Sequence, residues 1–233
     1  MSVNFDDTKI TFESKSTREL QVLKLIFSVL NRPFYVFLGT SIIKWALQFR
    51  LPIKGLIKAT LFNQFCGGEN IQGCENKINQ LKKFNVKTIL DYSVEGQENE
   101  QSFDHTLKET LKAIQFATQH DAIPFCVLKL TGLGSKSLMT KIQLGKELSL
   151  DEQNQFNRFR DRGFEVAVEI LKLNQRLLID AEESWYQDVI DTFIYELMVK
   201  CNTEKALVYN TYQFYRHNML DRMKAGFENI ISS

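Results

Sequence analysis

Leu177-Leu178-Ile179-Asp180-Ala181-Glu182-Glu183-Ser184-Trp185 is the stretch from which the fold is read. Three aliphatic residues in a row leave no polar face, which suits a short strand buried on both sides, as in a parallel sheet covered by helices. A carboxylate follows at once. The ends of such strands floor the ligand crevice of α/β proteins, so Asp180 serves either chemistry or the cap of the next helix. The D-x-x-E spacing of Asp180 and Glu183 is that of a capping box and keeps the second reading open. Three further strand candidates also end in a polar group: Asp91, Lys129 and Asn210.

Outward from this stretch, strand patterns at 86–92, 123–130, 177–180 and 206–210 alternate with helical ones. The first helix, after a turn at Gly96, carries Phe103, Leu107, Leu111 and Ile114 on one face. The second follows a capping box, Ser149 with Glu152, and carries Phe156, Phe159, Val166, Ile170 and Leu173. The third is expected from about Ser184 to Lys200 and the last from Thr211 to about Ile230. Between strand two and its helix, Gly132 and Gly134 permit close backbone approach, and G-x-G alone is a weak phosphate signal. Four β–α units in succession predict a parallel sheet with right-handed crossovers. Periodicity leaves a small doubly wound sheet and part of a (β/α)8 barrel equally open.

Residues 1–85 read differently. Ser16 and Glu19 form a capping box before a stripe of Leu20, Leu23, Phe27 and Leu30, and Pro33 breaks it. Helices are expected over 34–49, 54–65 and 69–84. The division is thus an N-terminal helical region, 1–85, and an α/β region, 86–233.

Composition excludes some partners. The formal charge of +1 gives no field for a phosphate backbone, so no nucleic acid is expected. Cys66, Cys74, Cys126 and Cys201 form no C-x-x-C pair, and the three histidines are isolated, so no metal site is expected. Reduced thiols and a polar, acidic N-terminal stretch without a secretory signal suggest a cytoplasmic protein. The most apolar run, 34–47, is too short to span a bilayer, which takes about 20 residues.

With the strands side by side, Asp91, Lys129, Asp180 and Asn210 would share one mouth. Lys129 would then hold a carboxylate, Asp180 an ammonium, and Asn210 the edge of a heterocycle. A structural ion pair with a helix cap fits the same residues equally well. No nucleophile with an adjacent base emerges.

The segment LLIDAEESWYQDVID (177–191) resembles the D-A-E-x-S stretch of proline dehydrogenases. KATLFNQFCGGENI (58–71), TILDYSVEG (88–96), PFCVLKLTGLG (124–134) and ALVYNTYQFYRHNMLDRM (206–223) resemble further segments of that family, in order. The resemblance implies a modified (β/α)8 barrel, FAD as cofactor, L-proline as substrate with 1-pyrroline-5-carboxylate as product, and a membrane quinone as electron acceptor, hence a peripheral membrane contact. It implies that Lys129 binds substrate, that Asp180 is the catalytic and substrate-contacting carboxylate, and that Ala181 and Asn210 contact the flavin. Asp91 is implied as a supporting residue, with Tyr212 and Gln213 as packing.

Segments matching strands five to eight are not found, so the expectation is an incomplete barrel of four βα units that neither retains FAD nor turns over proline alone. Two other readings stand beside it. One is a non-catalytic partner or relic that pairs through its open edges with itself, a complementary C-terminal half or a full-length homologue. The other is an unrelated barrel enzyme using Lys129 as a Schiff-base amine.

Overall fold

The computed structural model describes residues 6–92 and 98–231, and the chain divides into two units, Met1–Val86 and Lys87–Ser233. The turn expected at Gly96 lies outside the described residues. The first unit is helical: α1 (Thr8–Phe12), α2 (Thr17–Leu30), α3 (Pro33–Gln48), α4 (Lys54–Ile57), a π turn (Lys58–Phe62), α5 (Asn63–Phe65) and α6 (Ile71–Lys82). Ser16 caps α2 as expected: its N–H donates to Glu19 Oε2 at 2.7 Å and its Oγ accepts from the Glu19 N–H at 3.3 Å. The hydrogen bonds from Ser16 hold the Glu19 carboxyl below its usual range. Pro33 opens α3 at a position where a helix needs no N–H. The inward stripe of α2 differs from expectation, since Ile26 is buried while Phe27 and Leu30 are exposed. Apolar residues surround this helix, so periodicity could not select the face.

In the second unit, strand order decides between the two α/β readings. β1 (Ile89–Leu90), β2 (Phe125–Leu128), β3 (Leu177–Ile179) and β4 (Val208–Asn210) lie in sequence order, each parallel to its neighbour. A doubly wound sheet reverses direction at a switch point. Consecutive order is an arc of barrel wall. The intervening helices are α7 (Glu100–Ala117), α8 (Lys136–Gln143) with α9 (Leu150–Leu173), α10 (Gln187–Cys201) and finally α11 (Met219–Ile231).

Pleating sorts the strand residues into two environments. Cys126, Leu128, Leu177, Ile179 and Val208 are buried, with Ile114 of α7, Ile170 of α9 and Ile194 of α10 in the same core. Phe125, Val127, Leu178 and Tyr209, on the other face, are only half-buried. This is the face that would line a barrel.

The elements are shorter than the sequence patterns suggest. β1 keeps two residues of an expected seven, being an edge strand with one partner among the described residues. The helix after β3 begins at Gln187, and the Asp180–Glu183 capping box does not form, because the Asp180 N–H continues the sheet ladder by donating to Leu128 O at 3.0 Å. α11 starts eight residues later than expected. α8, capped by Ser135, lies in a stretch for which no element was expected; eight residues with two buried apolar side chains give a weak pattern.

The glycines after β2 serve packing. A Cβ on Gly134 would fall 2.8 Å from Cβ of Phe159, an atom fixed to the α9 backbone that cannot swing away. Phe159 is itself fully buried. Gly134→Ala should destabilise the protein by about 1–3 kcal/mol through overpacking, a fall in Tm of several degrees in thermal denaturation. An unchanged or raised Tm would mean that this contact is not close-packed.

Candidate active site

Register brings the sequence candidates together, with one exception. Leu128 pairs with Ile179, so Lys129 and Asp180 are the next neighbours along β2 and β3 and face the same side of the sheet. Leu90 pairs with Cys126, which puts Asp91 on that side too. The Lys129 Nζ lies 3.7 Å from Asp91 Oδ2, both side chains about two-fifths exposed. Such a pair is loosely held and worth little to stability, so Lys129 is free to turn to another carboxylate.

Asp180 feels both neighbours. Burial pushes its carboxyl above the ordinary range, Lys129 pulls it back, and Asp91 adds to the rise. The three groups therefore form one electrostatic cluster on the open inner face.

Asn210 does not join them. It pairs in register with Ile179 and thus faces the helices, where its Nδ2 donates to Asp191 Oδ1 of α10 at 3.1 Å. The expectation that all four strand-end groups share one mouth is corrected on this point, since pleating sends residue 210 to the opposite side from 209 and 211. Thr211 takes the inner position. Its Oγ1 donates to Ile179 O at 3.0 Å and accepts the Ala181 N–H at 2.7 Å. The Ala181 carbonyl accepts from Gln213 Nε2 at 3.4 Å, so both backbone groups of Ala181 are tied down.

A cavity of about 820 Å³ opens beside the cluster, with Asp91, Lys129, Glu182, Trp185, Gln213 and Arg216 among its walls. Asp180 and Asn210 do not line it. Gln213, read from sequence as packing, is the amide on this side. Nη1 of Arg216 is buried without a hydrogen-bond partner, a donor lacking an acceptor. The residue pattern gave no sign of either role, because both lie in the irregular segment after β4.

Glu182 holds the loops in place. It accepts from the Thr131 backbone N–H at 3.1 Å and from the Thr131 hydroxyl, clamping the end of β3 to the turn after β2. Its own N–H donates to Gln187 Oε1 at 2.6 Å, and Gln187 Nε2 donates to Asp191 Oδ1 at 2.8 Å. The chain of bonds thus runs from β2 through β3 and α10 to Asn210. Asn210 is part of the scaffold.

Against this geometry, the sequence profile described as proline dehydrogenase matches residues 74–229, two-thirds of the chain. The chain belongs to the proline dehydrogenase family. Among curated relatives, the mitochondrial proline dehydrogenase 1 of Dictyostelium discoideum is 28% identical, over 95% of this chain and 46% of its own length. The carbapenem antibiotics biosynthesis protein CarD of Pectobacterium carotovorum subsp. carotovorum is also 28% identical, over 67% of this chain and 42% of its own. The chain spans about half the length of these relatives. Proline utilization A from Bdellovibrio bacteriovorus, crystallised after inactivation by N-propargylglycine, superposes with a TM-score of 0.56 at 14% identity, over 73% of this chain and 19% of that one. This likeness bears on the fold, and it agrees with the barrel arc.

The family corrects the expected compartment. The Dictyostelium relative is mitochondrial, as are plant, human and fission-yeast proline dehydrogenases, which points to mitochondria and away from the cytoplasm. Reduced thiols could not have distinguished the two, since both interiors are reducing.

Burial raises the Glu182 carboxyl from its ordinary 4.5, outweighing the two bonds from Thr131. A raised folded-state pKa means stability that is present below the unfolded value and lost as pH climbs through the folded one. Glu182→Gln keeps an acceptor for Thr131 and removes the titration. Between about pH 4 and pH 7 the wild type should lose stability relative to this variant in urea denaturation. A wild type that gained on the variant over that range would contradict the burial of this carboxyl.

Proposed function

We propose that this chain supplies the lysine–aspartate part of a site that oxidises L-proline to 1-pyrroline-5-carboxylate, with FAD as the electron acceptor and a quinone as the onward one. The observation that carries the reading is the placement of Lys129 and Asp180 as register neighbours on the open face of the sheet. Their charges match a zwitterion: the ammonium of Lys129 holds the proline carboxylate, and Asp180 accepts from the ring N–H.

Oxidation removes a hydride from the ring carbon beside nitrogen and a proton from nitrogen. Asp180 stands where that nitrogen is held, and its raised pKa lets it hold a proton more readily than a free aspartate. Asp91 supports Lys129 electrostatically. Bound FAD supplies the hydride acceptor; the protein supplies orientation and charge.

The cavity walls suit a flavin in their chemistry. Arg216 offers a buried, unpartnered N–H, Gln213 an amide, and Trp185 an apolar ring. In this reading Gln213 takes the flavin contact expected of Asn210, and Ala181, with both backbone groups fixed, is the rigid element beside the cofactor.

A second reading, a non-catalytic partner, is favoured by one feature: β1 and β4 are each paired on one side only among the described residues. Such edges accept another strand.

L-Proline binding to the full chain, followed by Trp185 fluorescence or calorimetry, separates the two. Loss of a charge-assisted hydrogen bond in Lys129→Met should weaken binding about ten- to a hundredfold. A wild-type chain that binds no proline, yet forms a discrete complex with a full-length homologue, would favour the partner reading instead.

A further inference from the structure

β3 and β4 stop pairing at Ile179 and Asn210, yet the bonds between them continue. Within the sheet, the Leu177 N–H donates to Leu207 O at 2.7 Å, and the Asp180 N–H donates to Leu128 O at 3.0 Å, in the slanted ladder of parallel strands. With Ile179 level with Asn210, the next rungs toward β4 would run from the Thr211 N–H to Ile179 O and from the Ala181 N–H to Thr211 O. A third would run from the Gln213 N–H to Ala181 O. Side chains of the same two residues stand in for that backbone. Thr211 Oγ1 donates to Ile179 O at 3.0 Å and accepts the Ala181 N–H at 2.7 Å, while Gln213 Nε2 donates to Ala181 O at 3.4 Å. The Thr211 N–H turns instead to Asn210 Oδ1 at 2.8 Å.

Thr211 Oγ1 thereby holds both peptide groups that flank Asp180. Those two planes meet at the Asp180 Cα, so their orientation sets its φ and ψ, and with them the direction of Cβ and the rotamers open to the carboxyl. From the β2 side, Leu128 O holds the Asp180 N–H. β3 is therefore pinned from both neighbours at the residue whose carboxyl shares a face with Lys129. Both ties from the β4 side rest on one oxygen, which must donate and accept at once, as a hydroxyl can.

We propose that Thr211 is a positioning residue for Asp180: its hydroxyl replaces the β4 backbone past the end of the strand and aims the Asp180 carboxyl into the space beside Lys129 where substrate is held. The substrate half of this inference rests on the proline reading; the aim of the carboxyl does not.

Three variants of the full chain separate the hydroxyl from the bulk of the side chain. Thr211→Val keeps the shape and loses both bonds, and Thr211→Ser keeps both bonds and loses the methyl. Thr211→Ala lets water reach the two backbone groups, and replaces the valine variant should that one not fold. The Asp180 χ1 angle is read from three-bond NMR couplings to Cγ in the ligand-free protein, and L-proline affinity from calorimetry. Wild type and Thr211→Ser should each show one Asp180 rotamer. Thr211→Val should show averaged couplings and bind proline about tenfold more weakly, with Thr211→Ser within about twofold of wild type. Couplings averaged already in the wild type, or unaltered in Thr211→Val and Thr211→Ala, overturn the proposal. So does a proline affinity that loss of the hydroxyl leaves intact, or a Thr211→Ser chain that behaves like valine, which would assign the effect to the methyl. A wild type that binds no proline defeats the proline reading alone, and the couplings still decide the role of Thr211.

Discussion

Alternation along a parallel strand is the constraint on which the second unit depends. Each residue past the helix-packed core belongs to one of two sides, and a shift of one position moves a side chain from the open face to the buried one. Lys129, Asp180 and Thr211 fall on the open side; Asn210 falls on the other, beside Asp191. The electrostatic cluster exists because the residues that follow β1, β2 and β3 fall on the same side of the sheet, so that groups distant in sequence meet where water still reaches them. The polar bonds from Thr131 through Glu182 and Gln187 to Asp191 and Asn210 keep those ends from drifting. Burying this network costs desolvation, which the rise in the Glu182 pKa records.

Much of this was legible in the residues. Unbroken aliphatic runs marked the strands, and the spacing of Ser16 with Glu19 and of Ser149 with Glu152 marked two helix starts that the structure forms as capping boxes. The glycines after β2 signalled close approach, which Gly134 makes against Phe159. A third box of the same spacing failed at Asp180, because its backbone N–H is already committed to the neighbouring strand and is not open to the Glu183 carboxylate that would close the box. Local patterns do not show such competition. Asn210 was misplaced although its strand ends where expected: it lies level with Ile179 and not with Asp180, and the register between two strands cannot be read from either strand alone. Gln213 and Arg216 lie in an irregular segment where no period applies.

Net charge misled in a different way. A total of +1 describes an average, and the average hides a cationic, apolar segment between Glu19 and Glu69. The two units thus carry different physics: in one, helices leave aromatic rings exposed among cations; in the other, a sheet gathers opposite charges on one face. The family relation concerns mainly the second, since the matched residues begin at 74.

The central claim is that Asp180, Lys129 and Asp91 share one field. Carboxyl carbon NMR of Asp180 through a pH titration measures it directly, without ligand or cofactor. Its pKa should begin above the ordinary aspartate value, rise further in Lys129→Met, and fall in Asp91→Asn. An Asp180 titration that neither substitution moves would place the three groups apart and contradict the account.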